Sequence, residues 1–237
     1  MRPSVFLVPA LTALLATGCD SAASGRGDAA AGATPASAAD ARVNVADRAR
    51  IRGDAAAPIW IVEVSDFQCP YCRMWQQETY PQLDREYIAT GKVKLAYVHL
   101  PIPNHQHAMA TAEASMCAAA QGRFWEMHDR IFATQERWSR LPSVRALLDS
   151  MAGAVGVDLE PWRECLDGGA MRPLIQSDYD RAVRSGATST PTFLIMGDST
   201  IANGGPAMLV GAQPIENFRP VIDEMLARRT VPPPGRE

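Results

Sequence analysis

Two cysteines three residues apart, Cys69 and Cys72, enclose Pro70 and Tyr71 where an apolar run gives way to a helical pattern. That spacing sets two side chains about a turn apart on one helix face, within reach of a disulfide. Proline suits the first helical position, where its missing N–H is not needed, and this leaves Cys69 as the cap. A sulfur there faces unpaired backbone N–H groups and the positive end of the helix dipole, both of which favour thiolate over thiol. The dipole is worth about 0.3–1 kcal/mol and one pKa step about 1.4 kcal/mol, so a strongly acidic thiol needs direct N–H···S bonds as well. Cys69 is therefore expected as the exposed attacking thiolate and Cys72, one turn inside, as its resolving partner. A zinc half-site and a fixed bridge are the other readings of the spacing. Zinc wants four ligands, and no second close pair exists in the sequence. No metal and no cofactor is expected.

The elements that must hold this dithiol are legible around it. Pro58 to Ser65 is a continuous apolar run of strand length, the pattern of a strand covered on both faces. Glu63 is its only charge, and burying a carboxylate is expensive. It is expected to be protonated or hydrogen-bonded with a raised pKa, the alternative being a strand-end glutamate paired with Lys92 or Lys94. Pro70 to about Thr90 reads as a helix stopped by Gly91, and Lys92 to His99 alternates as a second strand. From about Asn104 to Ser185 helical periodicity takes over, with Phe124, Met127, Ile131 and Phe132 on one face. Thr192 to Met196 and Ile201-Ala202 read as a hairpin, Met208 to Val210 as a further strand, and Pro214 to Arg228 as a closing helix. The chain is thus read as a β-α-β half, a helical insert over about 103–186, then β-β-α.

At 237 residues, 47% hydrophobic and 21% charged, the composition excludes disorder and a multi-span membrane protein. A net charge of −3 with no basic tract argues against a nucleic-acid partner. At the N-terminus, Arg2 is followed by an apolar stretch too short to span a bilayer and a small-residue finish, an export signal over residues 1–18. Leu14 to Cys19 resembles a bacterial lipoprotein signal, which implies lipidation of Cys19 and anchoring to a membrane; ordinary cleavage near Ala22 is the alternative. Asp20 after the cysteine resembles an inner-membrane retention signal. Residues 19–45, rich in Ala, Gly and Ser, read as a flexible tether, 46–230 as the folded domain, and 231–237 as a tail.

Val62 to Cys72, with Ser189-Thr190-Pro191-Thr192-Phe193 far downstream, resembles the DsbA-like branch of the thioredoxin superfamily over roughly residues 45–230. Gly122 to Asp129 and Val210 to Pro214 are similar to that family too. The resemblance implies an α/β thioredoxin fold with an inserted helical domain, and an exported, periplasmic thiol:disulfide oxidoreductase. It implies Cys69 and Cys72 as the catalytic pair and Glu63 as the proton carrier for the inner cysteine. Thr190 and a cis Pro191, with Pro70 and Tyr71, are implied to meet an extended substrate, in the manner of strand addition. The partners implied are unfolded or thiol-bearing exported proteins and a membrane redox protein that re-oxidises the pair. Threonine at position 190 departs from the valine of the best-known oxidases, so oxidase is preferred over reductase or isomerase only by the resemblance and by the lack of an N-terminal dimerisation module. A chaperone-like binding module and a metal-delivery protein are the readings from other classes.

With Cys19 lipidated and the dithiol set aside, Cys117 and Cys165 remain, and an exported chain favours a bridge between them, the alternative being two separate thiols. His99, His105, His107 and His128 read as surface or capping residues. Trp60, Trp75, Trp125 and Trp138 read as core or rim aromatics, with one of them or Phe67 lining an apolar groove beside the thiolate.

Overall fold

The computed structural model describes residues 38–197 and 205–230. The expected signal segment, Cys19, most of the tether, Ile201-Ala202 and the tail lie outside the described residues.

Five strands form one mixed sheet in the order β1-β3-β2-β4-β5. These are β1 (Ile51–Arg52), β2 (Ile59–Ser65), β3 (Val93–His99), β4 (Thr192–Gly197) and β5 (Ala207–Val210). The central pair β2 and β3 runs parallel, with Ile61 opposite Leu95, Glu63 opposite Tyr97 and Ser65 opposite His99. β4 lies antiparallel on the other side of β2, with Phe193 opposite Glu63. Period-two alternation therefore gathers Ile59, Ile61, Glu63, Ser65, Val93, Leu95, Tyr97, His99, Phe193 and Ile195 on a single face.

Two helices cover that face: α2 (Pro70–Glu78), which brings Trp75, and α10 (Ile215–Thr230), which brings Phe218 and Ile222. The region expected as one helix to Thr90 is interrupted. Pro81 cannot donate into the ladder, so α2 ends at Thr79, a short α3 (Tyr80–Leu83) follows, and a π-helical turn (Asp84–Ile88) leads to Gly91 at φ +73°.

Between β3 and β4 run α4 (Ala108–Ala119), α5 (Phe124–Ala133), α6 (Gln135–Trp138), α7 (Arg145–Ala154), α8 (Leu159–Asp167) and α9 (Arg172–Arg184). Their apolar faces close a second core of Met116, Phe124, Met127, Ile131, Phe132, Trp138 and Trp162. Within it Cys117 and Cys165 are joined by a disulfide between α4 and α8. α9 returns to the opposite face of the sheet, packing Ala182 and Tyr179 on Val62, Val64 and Val98.

The tether ends earlier than its composition suggests. α1 (Ala38–Ala49) occupies residues assigned to it, because Val43 and Ala46 fall on one helical face and pack on the inserted core. Arg50, just after α1, is buried. Its guanidinium donates to Asp47, to the Tyr97 carbonyl and to Asp178 of α9, where Asp178 also accepts from Arg181 and from the His99 amide. One buried carboxylate thus joins α1, β3 and α9.

Candidate active site

β2 ends at Ser65, and four residues later the chain turns into α2 through a loop held from three sides. The Asp66 carbonyl accepts from the Cys69 amide at 3.0 Å, and its carboxylate accepts from the amides of Gln68 at 2.7 Å and Ile102 at 2.9 Å. The same carboxylate meets His105 Nδ1 at 2.6 Å. From the insert, Gln135 Nε2 donates to the carbonyls of Phe67 and Cys69 at 2.7 and 2.9 Å. Gln68 spans to the His107 amide and the Ser139 carbonyl. The loop carrying the first sulfur is therefore positioned by groups 36 to 71 residues away in sequence.

Cys69 is the N-cap of α2, in extended geometry with φ −70° and ψ 123°, and Pro70 opens the helix. Both thiols are reduced. The Thr190–Pro191 peptide is cis and lies against Cys69, whose Sγ is 3.4 Å from the Thr190 carbonyl. With this cover Cys69 is only 4% exposed, not the open thiol expected; what projects into solvent is Tyr71, at 60%. Phe67 is no groove residue either. It stacks on Tyr97 at 5.1 Å and abuts Phe132 at 5.0 Å inside the core. Of Trp60, Trp75, Trp125 and Trp138, Trp75 and Trp138 are buried.

The two sulfurs titrate in opposite directions. Cys69 is drawn down to about 6, first by a hydrogen bond from the Cys72 thiol. Burial opposes this, while the Thr190 side chain and the amides of Cys72 and Tyr71 add to it. The amides act, as the helix-cap argument requires, but the neighbouring thiol contributes most, and no side-chain cap bond is formed. Cys72, fully buried, is pushed well above the usual thiol range, first by burial and then by donating to, and facing the charge of, Cys69. A hydrogen bond to an ionised partner is worth about 1.5–3 kcal/mol, enough to separate two neighbouring thiols strongly.

Glu63 is fully buried in mid-sheet, and burial raises its pKa to about 8, tempered by the Ser65 hydroxyl. The pairing with Lys92 or Lys94 is absent: Lys94 lies over the Trp60 ring and donates to the Ala55 carbonyl, and Lys92 donates to the Glu86 carbonyl. Ser65 and Tyr97 stand beside Glu63 on the same face, and Ser65 also acts on Cys72.

The histidines depart most from the sequence reading. His105 is partly exposed and His107 occupies the N-cap position of α4, but His99, His107 and His128 are all buried. His128 was recoverable from spacing, since it lies four residues after Phe124 and four before Phe132, on the buried face of α5. Among the described residues no group of histidine, cysteine and acidic side chains could hold a metal, and no helix is long and apolar enough to cross a membrane.

The family model described as Thioredoxin matches residues 46–223. A Na(+)/H(+) antiporter NhaA 3 of Salinispora tropica is 35% identical over 64% of this chain, but the match spans only 22% of that antiporter's length. A probable disulfide bond formation protein D of Bacillus anthracis is 28% identical over 60% of this chain and 67% of its own. The crystal structure of Wolbachia pipientis alpha-DsbA1 superposes with a TM-score of 0.66 at 22% identity, covering 76% of this chain and 91% of that one. The parallel β-α-β unit, the inserted helices and the β-β-α closure make a DsbA-like fold, and the chain belongs to the thioredoxin family.

Proposed function

We propose that the chain is an exported thiol:disulfide oxidoreductase that oxidises cysteine pairs in unfolded or thiol-bearing proteins. The observation that carries this is the split between the sulfurs, Cys69 drawn down to about 6 and Cys72 pushed up. A stabilised Cys69 thiolate favours the reduced pair, and a stabilised reduced form makes the corresponding disulfide a strong oxidant.

In the oxidised protein a substrate thiolate attacks Cys69 Sγ. A substrate–Cys69 bond forms as the Cys69–Cys72 bond breaks, and the electron pair leaves on Cys72. Glu63, protonated at neutral pH with a pKa of about 8, gives its proton to that sulfur. The substrate's second thiolate then attacks the substrate sulfur of the mixed disulfide and releases Cys69 as thiolate. Two electrons pass from the substrate to the pair, one proton is taken up at Cys72, and the substrate leaves with its disulfide. Tyr71 and Pro70 at the exposed helix start, with Thr190 and Pro191 opposite, form the surface the substrate meets. A membrane redox protein accepts the electrons, and lipidation of Cys19 after removal of residues 1–18 holds the enzyme beside it on the extracytoplasmic face. Cys117–Cys165 serves the insert's stability and takes no part in exchange.

Thr190 favours a second reading, a reductase or isomerase, through the departure from valine noted above. Both are tested by adding catalytic amounts to a reduced, unfolded disulfide enzyme with oxidised glutathione. Many turnovers of reactivation per molecule are expected. Recovery no faster than glutathione alone contradicts the oxidase reading, and acceleration confined to a scrambled substrate establishes isomerisation in its place.

A further inference from the structure

Six buried polar atoms in five neighbouring residues make no well-formed hydrogen bond, although the Ser65 hydroxyl is near enough to act on Glu63 and Tyr97: both Glu63 carboxylate oxygens, Ser65 Oγ, Tyr97 OH, His99 Nε2 and His128 Nε2. Leaving such groups unpaired is costly, and buried polar atoms at this density are a place where internal water connects side chains. They form a line. Glu63 and Ser65 sit on β2 beside Tyr97 and His99 on β3, and the His128 ring from α5 meets Tyr97 edge-on at 5.2 Å and 84°.

Among the described residues, His128 is where this cluster meets an exposed carboxylate. His99 is enclosed, with the Arg50 guanidinium and Asp178 behind it. His128 is itself fully buried, yet its Nδ1 lies 2.8 Å from a carboxylate oxygen of Asp129, whose side chain is 52% exposed. A carboxylate only accepts, so Nδ1 carries the hydrogen and Nε2 turns a lone pair toward the interior. Burial lowers the His128 pKa against the pull of Asp129, and the Arg52 guanidinium of β1, 3.8 Å from Asp129, lowers it further. The ring is therefore neutral at rest and able to accept. Tyr97 and His99 from β3 and Glu63 from β2 are the other titratable groups near it; Phe67, Phe124, Trp125 and Phe132 complete its walls.

We propose that Tyr97 and the His128–Asp129 pair form the proton path between buried Glu63 and solvent. The proposal rests on the reading of Glu63 as proton carrier for Cys72. When the dithiol is re-oxidised, Cys72 loses its proton to Glu63. Through the internal water that such unpartnered atoms hold, Tyr97 passes one proton on to His128 Nε2 as it takes up the proton of Glu63, and the hydrogen on His128 Nδ1 leaves through Asp129 to water. Reduction runs the same exchange inward, one proton per cycle. Tyr97, His128 and Asp129 are positioning residues and touch no substrate.

The test follows reduction of the full-length protein's Cys69–Cys72 disulfide by dithiothreitol in stopped flow, in light and heavy water. Asp129→Asn, His128→Gln and Tyr97→Phe are each expected to slow it about 10-fold near neutrality, below the 10²–10⁴-fold of a direct acid. The equilibrium potential against glutathione stays unchanged, the solvent isotope effect grows, and millimolar imidazole restores Asp129→Asn. Asp129 is a surface residue, so its variant reports even if the buried replacements fail to fold. Wild-type rates in Asp129→Asn, or slowing without an isotope effect or buffer rescue, overturn the path. Glu63→Gln separates the two claims: slowing there alone leaves Glu63's role and removes the path, whereas no slowing there removes both.

Discussion

Cys72→Ala is expected to stop turnover, by on the order of 10³-fold or more, while leaving substrates covalently bound to Cys69. Without the inner sulfur, Cys69 has no partner to re-form the resting disulfide, and a mixed disulfide persists until an external thiol releases it. Electrophoresis under non-reducing conditions should show adducts that vanish on reduction, and Cys69→Ala should show none. The same substitution carries a second, finer consequence. The Cys72 thiol contributes most to the acidity of Cys69, so its loss should move Cys69 back toward the ordinary thiol range. Adducts in Cys69→Ala, or an unchanged Cys69 titration in Cys72→Ala, would place the reactive sulfur or the source of its acidity elsewhere.

The largest expected loss of stability comes from a residue far from the sulfurs. Asp178→Ala should cost about 3–5 kcal/mol, the range for breaking a buried ion pair by removing one partner. The carboxylate is fully buried, accepts from Arg50, Arg181 and the His99 amide, and its removal strands the Arg50 guanidinium inside the protein. Urea unfolding of the full chain measures it. As a contrast, Glu224→Ala breaks an exposed pair with Arg228 on α10 and should change stability by less than about 1 kcal/mol. If the two variants lie within about 1 kcal/mol of each other, the junction of α1, β3 and α9 does not rest on Asp178.

What sequence could and could not reveal follows from range. The dithiol, the buried β2 strand, the helical insert and the amphipathic faces of α5 and α10 are local patterns, carried by spacings of two to four residues. Glu63 stood out because a lone charge in an apolar run has few physical explanations. The misses are long-range. α1 looked like tether because alanine and aspartate are plentiful there, and only packing of Val43 and Ala46 on the insert makes it part of the fold. Cys69 looked exposed because the Thr190–Pro191 segment that covers it lies 121 residues downstream. His128 was readable, yet histidine's surface habit outweighed its place between Phe124 and Phe132. Asp178 gave no signal at all: an aspartate in a polar helix becomes a hub only once Arg50 and His99 are brought to it.

Glu63 and Cys69 also set opposite pH trends. Glu63 has a raised folded pKa, so its contribution to stability is intact below the unfolded value near 4.5 and is lost as pH climbs through about 8. Cys69 has a depressed one, so its contribution to the reduced protein is present above the unfolded thiol value and is lost as pH falls through about 6.

The most direct measurement is the ultraviolet absorbance of thiolate in the reduced protein as pH is raised, with Cys69→Ala as the blank and Cys117–Cys165 left bonded. One thiolate should appear with a midpoint near 6, and the second only at strongly alkaline pH. A first thiolate that appears only near the unperturbed value of about 8.5 would contradict the split between the two sulfurs, and with it the proposed oxidant.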